Sequence, residues 1–199
     1  MKERIIKAEF FGRSTETIAK KLIGKKLIRK IGREEMSCRI VEAEAYLPTN
    51  DDACHASKKK TPKNEVMFGP PGLIYVYSIH ARYCVNFVTE KEGKGCAVLI
   101  RAAIPLDGIK YMRQRRRVER DRELLNGPAK LCEAKSIDKE LNGKALSRSS
   151  GLWLVDDDFQ VESESIVVTP RIGVTSAKDK LLRFVLKGSE FASGPKYLR

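Results

Sequence analysis

A strand that carries two carboxylates on one face has few places in a fold where it can sit, and this chain contains one. The stretch Arg39-Ile-Val-Glu-Ala-Glu-Ala-Tyr46 begins as an apolar-alternating strand and then spaces Glu42, Glu44 and Tyr46 two apart. Period 2 sends those three side chains to one face and the small Ala43 and Ala45 to the other. Acidic residues are depleted from strands. Either this is a solvated edge face, or the carboxylates are held there for a purpose.

The flanking segments read largely as hairpins. Ser14 or Thr15 can cap a helix that runs through Leu22 and stops at Gly24. Residues 25–31 read as a strand with one basic face, Gly32-Arg33 as a turn, and residues 36–46 as the returning strand. Residues 47–72 show little periodicity, and a loop of that length in a compact unit is either functional or disordered. Met67-Phe68 and Gly69-Pro-Pro-Gly72 argue that it is tied down, and its Lys58-Lys59-Lys60 run suits a phosphate backbone.

Residues 73–79 and 83–88 form a second predicted hairpin, with His80-Ala81-Arg82 at its tip. Such a tip can push a side chain into a duplex, or the hairpin can simply bury its tyrosines in a core. Asn86 is an amide within an apolar strand, so it needs polar partners or something polar to read. A strand over residues 96–101 ends in Arg101, which is either exposed past the strand end or buried against a carboxylate such as Glu44. From Asp107 to Arg117 the pattern is helical with a dense basic face, and Pro128 suits the first turn of a further helix whose start can receive an anion. Short strands follow at 153–155, 165–169 and 182–186, and no internal repeat or Gly/Ser-rich linker is present.

Composition narrows the partner. With 39 Lys and Arg against 26 Asp and Glu, the chain carries +13 over 199 residues, which favours a polyanion. A hydrophobic content of 42% sets aside a disordered chain, and no apolar run has the length of a bilayer span. The start Met1-Lys-Glu-Arg-Ile-Ile lacks the apolar core of a signal peptide, so an intracellular protein is expected. Five cysteines with no Cys-x-x-Cys spacing suit reduced thiols. Cys54-His55 and His80-x-x-x-Cys84 match no zinc finger or ribbon, so no metal is expected.

The ordered motifs resemble the alkyladenine (3-methyladenine) DNA glycosylase family, the purine DNA glycosylases of base excision repair. They are Phe10-Phe-Gly12, Arg39 to Tyr46, Asp52-Ala-Cys-His55, Thr61-Pro-Lys-Asn64, Met67 to Gly72, Tyr75-Val-Tyr77, Val98-Leu-Ile-Arg101, Asn126 to Cys132, Arg171-Ile-Gly-Val174 and Leu182 to Ser189. The resemblance implies one α+β domain over residues 1–199, with a curved, mainly antiparallel sheet packed with helices and a protruding hairpin. It implies Glu44 as general base for a water that attacks the anomeric carbon, with Arg101 positioning both. Tyr46, His55 and Tyr77 match the walls of a pocket for an extruded base, and Asn86 the position that discourages guanine. Glu42 has no implied chemical role and reads as structural or surface.

The chain departs from the family at the hairpin tip, which is shorter. There His80 stands where a tyrosine is usual, so either His80 or Arg82 is the expected wedge. The implied partner is double-stranded DNA containing damaged purines, met by a monomer without cofactor, metal or membrane. The implied compartment is the cytoplasm or nucleoid of a prokaryote, or a nucleus. The alternative is a non-catalytic binder of distorted DNA or structured RNA. A glycoside hydrolase using Glu42 and Glu44 fails because side chains two apart on a strand lie too close for either standard carboxylate separation.

Overall fold

The computed structural model describes residues 3–194; Met1 and Lys2, part of the N-terminal stretch considered above, lie outside them. Nine strands and three helices are present among the described residues: β1 (Arg4–Ile5), α1 (Thr15–Leu22), β2 (Lys26–Ile31), β3 (Glu34–Tyr46), β4 (Ile74–Ile79), β5 (Arg82–Thr89), β6 (Cys96–Asp107), α2 (Ile109–Arg116), α3 (Pro128–Ala134), β7 (Leu152–Asp156), β8 (Ile166–Thr169) and β9 (Arg183–Leu186). The fold is α+β. Ile18, Ala19 and Leu22 bury one stripe of α1, at the three- and four-residue spacings of a helix face. The chain then turns at Gly24, where φ is +87° and a Cβ would come within 2.6 Å of Val161, so only glycine fits without displacement.

The sheet runs β1-β7-β2-β3-β6-β5-β4 with antiparallel pairing throughout, and β8 and β9 branch from β3. β3 organises it. One edge of β3 pairs first with β2, over Glu34 to Arg39, and then with β9, over Glu42 to Glu44; the other edge pairs with β6. Its second half is therefore enclosed on both edges. Two compensating bulges lie there. Between Ile40 and Glu42 the extra residue is Val41 on β3, and between Glu42 and Ala43 it is Arg101 on β6. Bulges bend a strand and re-aim its side chains, and this pair turns Arg101 toward the carboxylates without disturbing the register beyond them.

Two apolar layers flank the sheet. On one face α1 and α3 pack against Ala43, Ala45, Val76, Val85, Phe87 and Ile100. On the other, Cys54, Ala56 and Met67 from the 47–72 segment pack against Tyr75, Val88 and Ala97. Burying side chains of this size contributes roughly 1.5–3 kcal/mol each for the larger ones, enough to hold a loop with little regular structure. Asn64 adds to this by donating to the carbonyls of His55 (2.7 Å) and Lys59 (3.0 Å).

Two sequence expectations are corrected, and one strand is new. β6 does not stop at Arg101 but continues to Asp107, so Arg101 lies mid-strand. Pro105 is tolerated because β5 no longer pairs with β6 beyond Leu99. β2 has no purely basic face, since Ile28 packs with Trp153 and Val155 on the side away from the main core. β1 was not anticipated at all. All five cysteines are buried and free, and no helix among the described residues is long and apolar enough to cross a membrane.

Candidate active site

Glu42 and Glu44 are both fully buried, which overturns the solvated-edge reading and removes the surface option for Glu42. Arg101 bridges them. Its Nε donates to Glu42 Oε1 at 3.0 Å and its Nη1 to Glu44 Oε2 at 3.2 Å. Glu44 also accepts the Tyr46 hydroxyl (3.0 Å) and the Ile172 backbone N–H (2.9 Å). Glu42 accepts the backbone N–H (2.6 Å) and hydroxyl (2.7 Å) of Ser193, and Arg183 Nε lies 3.2 Å away. Burial works against the Arg101 charge, but the two carboxylates outweigh it and raise its pKa.

A second ion pair adjoins the first. Arg171 donates to both carboxylate oxygens of Asp51, one at 2.7 Å, and to the Ala45 carbonyl at 2.9 Å. Its guanidinium lies 4.6 Å from the centre of the Tyr46 ring, a cation–π distance. Burial tends to raise the Asp51 pKa, yet the hydrogen bonds from Arg171 and Leu47 hold it below the ordinary value. Three carboxylates thus meet three guanidiniums. A paired, hydrogen-bonded set is the arrangement in which buried charge is tolerable.

Above this network opens a cavity of about 270 Å³, a little under the usual range of small-ligand sites, lined by Tyr46, His55, Tyr75, Tyr77, Asn86 and the Gly173 to Ser176 segment. Glu44 does not line it, but touches its wall through the Tyr46 hydroxyl and through Ile172, next to Gly173. The His55 and Tyr77 rings meet edge to face at 4.5 Å, and His55 Nδ1 shares a 2.9 Å hydrogen bond with the Tyr75 hydroxyl. Burial lowers the His55 pKa and so favours the neutral imidazole. Burial, and then the neighbouring Glu44, raise that of Tyr46, which keeps its hydroxyl a donor. The Asn86 amide nitrogen donates to the Tyr75 carbonyl at 3.1 Å, which answers where its polar partner lies.

β4 and β5 form the expected hairpin. Its two-residue turn is His80-Ala81, with φ of +46° and +60°. Such turns favour Asn-Gly because both central residues need the left-handed region. His80 and Arg82 are exposed, and Arg82 pairs across the ladder with Ile79. Ile79 is 52% exposed, shares the Tyr77 face, and lines the cavity.

The structure therefore gathers Glu44, Arg101, Tyr46, His55, Tyr77 and Asn86 in and beneath one cavity, with His80 and Arg82 at the exposed hairpin tip. Sequence reasoning missed Tyr75, Ile79, Asp51, Arg171 and Ser193. Tyr75 and Ile79 were within reach, since they share parity with Tyr77 on β4. Asp51 and Arg171 lie 120 residues apart, with no local pattern to join them.

The sequence profile of the methylpurine-DNA glycosylase family matches residues 9–190. The chain belongs to this family. Among its relatives, a protein of Methanocella arvoryzae, provisionally named a 3-methyladenine DNA glycosylase, is 45% identical over 90% of this chain and 89% of its own length. A protein of Carboxydothermus hydrogenoformans with the same name is 43% identical over 95% of this chain and 98% of its own. The stretch matched to methylpurine-DNA glycosylases takes in the whole cavity wall and both ion pairs, and leaves only Ser193 of the network outside it.

Proposed function

We propose that the chain, as a single domain and a monomer, excises damaged purines from duplex DNA by hydrolysing the N-glycosidic bond. The observation that carries this is Glu44, held by Arg101, Tyr46 and the Ile172 N–H directly beneath an aromatic cavity, in a member of this family. The target nucleotide swings out of the stack and its base enters the cavity, between Tyr46 and the His55–Tyr77 pair. Oε1 of Glu44 accepts the Ile172 N–H and has a second lone pair for a water. The water oxygen bonds to the anomeric carbon, its proton passes to Glu44, and the base departs with the electrons of the broken C–N bond.

Substrate choice follows from the walls. An alkylated purine is cationic, so it is attracted to ring faces and leaves readily without being protonated. Neutral His55 adds no opposing charge. A deaminated base such as hypoxanthine must gain a proton to leave equally well, so it is the slower substrate. Asn86, fixed by its bond to Tyr75, crowds the 2-amino group of guanine.

The test is base release from duplexes containing 3-methyladenine, 7-methylguanine, hypoxanthine or ethenoadenine. Glu44→Gln preserves the shape and most hydrogen bonds but cannot take the proton, so release should fall by roughly 10²–10⁴-fold. Release that survives this substitution sinks the mechanism. Tight lesion binding by the unaltered protein with no release over hours favours the binder instead.

A further inference from the structure

Among the residues that line the base cavity, Asp52 alone carries a full charge. The remaining walls are aromatic, apolar, small or neutral polar, and burial favours the uncharged form of His55. Asp52 is exposed, which puts it at the cavity mouth, and its carboxylate makes no hydrogen bond or ion pair among the described residues. The other acids nearby are all matched. Asp51 is buried and held by Arg171, while Glu42 and Glu44 are held by Arg101 and Arg183. Those charges cancel beneath the cavity, so Asp52 leaves the space above them net negative.

The adjoining surface has the opposite sign. A groove beside β4 shares His55, Tyr75, Tyr77 and Ile79 with the cavity, and Lys58, Lys59, Lys63 and Lys139 line it with no carboxylate among them. None of these four lysines makes an ion pair among the described residues. Such a groove suits phosphates, whereas an unpaired carboxylate next to it repels them. On a chain of +13, Asp52 therefore weakens the approach of undamaged DNA. A positively charged guest in the cavity offsets that repulsion, and a neutral one does not.

We propose that Asp52 is a specificity-determining residue, whose carboxylate attracts the positive charge of an N-alkylated purine and favours its entry into the cavity over that of a neutral base. This rests on the reading that the cavity receives extruded purines. The attraction acts on capture rather than on bond breakage. The base is cationic as it enters and becomes neutral as the electrons of the C–N bond return to it, so the stabilisation fades toward the transition state. Asp52 should therefore act on the half-saturating concentration and not on the saturated rate.

The test compares Asp52→Asn and Asp52→Glu with the unaltered protein in single-turnover release from matched duplexes containing 3-methyladenine or hypoxanthine. For Asp52→Asn the half-saturating protein concentration on 3-methyladenine should rise about three- to fivefold near physiological salt, the scale of one charge pair across a solvated mouth. On hypoxanthine it should hold or fall, because a charge that repels phosphates has gone. The saturated rate on 3-methyladenine should not drop, and Asp52→Glu, which keeps the charge, should stay within about twofold of the unaltered protein. Equal weakening on both lesions assigns Asp52 to the shape of the wall, and a lower saturated rate assigns it to the chemistry. The same loss in Asp52→Glu shows that charge is not what is read, and no change in Asp52→Asn leaves the carboxylate merely solvated. Each of these four results overturns the proposal. Equilibrium affinity for the two duplexes, measured in the Glu44→Gln background, scores the same preference without base release, so a failed glycosylase reading is not confused with a failed role for Asp52.

Discussion

Two carboxylates that look equivalent by spacing are separated by their partners. Glu42 is locked by Arg101, Arg183 and both polar groups of Ser193, whereas Glu44 reaches the cavity wall. Glu42→Gln removes a charge that faces two buried guanidiniums, so it should cost roughly 3–5 kcal/mol by urea denaturation, more than Glu44→Gln costs. The activity ranking should be the reverse when the rate is measured on the folded fraction. His55 offers a second check. In the unfolded chain it takes up a proton near pH 6.5, while in the fold burial resists that proton. The unfolded state then binds more protons, so the His55 contribution to stability is present above pH 6.5 and is lost as pH falls through the lowered folded value. His55→Gln should flatten the difference in urea midpoint between pH 7.5 and 5.5. Parity along residues 39–46 was enough to place Glu42 and Glu44 together, but the burial of both depends on Arg101 and Arg183, which neighbouring strands supply and no local pattern reveals.

Among the elements, the β4–β5 hairpin carries the clearest conflict between local preference and observed conformation. His80 and Ala81 both occupy the left-handed region, which side chains disfavour. Replacing them together by Asn-Gly should stabilise the protein by roughly 1–3 kcal/mol in thermal melts. If excision falls while stability rises, the imidazole of His80 serves the DNA rather than the fold. Ile79 is exposed at the tip and on the cavity face, so on the proposed mechanism it is the apolar candidate for the space a flipped nucleotide would leave. Ile79→Ser should slow release from a paired lesion by about tenfold, yet affect the same lesion opposite a gap far less, because no stacked partner then needs to be held apart. Hairpin strands were legible because period 2 and β-branched residues mark them. The continuation of β6 past Arg101 was not, because a strand interrupted by Pro105 reads as finished unless the missing neighbour on that side is known.

For the molecule as a whole, the +13 balance anticipates an affinity dominated by released counterions. Binding to lesion duplex should fall with a log–log salt slope steeper than about −4 if at least five phosphates are neutralised, readable by fluorescence anisotropy from 50 to 300 mM salt. Composition pointed to a polyanion, but not to which face would receive it, since that depends on how the lysine-bearing 47–72 segment lies against the sheet and beside β4. Ser193 donates to Glu42 and accepts from Arg101, and these bonds have a further consequence, because they span 151 and 92 residues. During translation β3 leaves the ribosome long before Ser193 does. A nascent chain can form the hairpins early, but its buried acids and arginines stay incompletely matched until residue 193 emerges. A chain cut short before Ser193 should therefore keep every recognisable motif yet lack the bonds that complete the setting of Glu42, and should melt lower than the full chain.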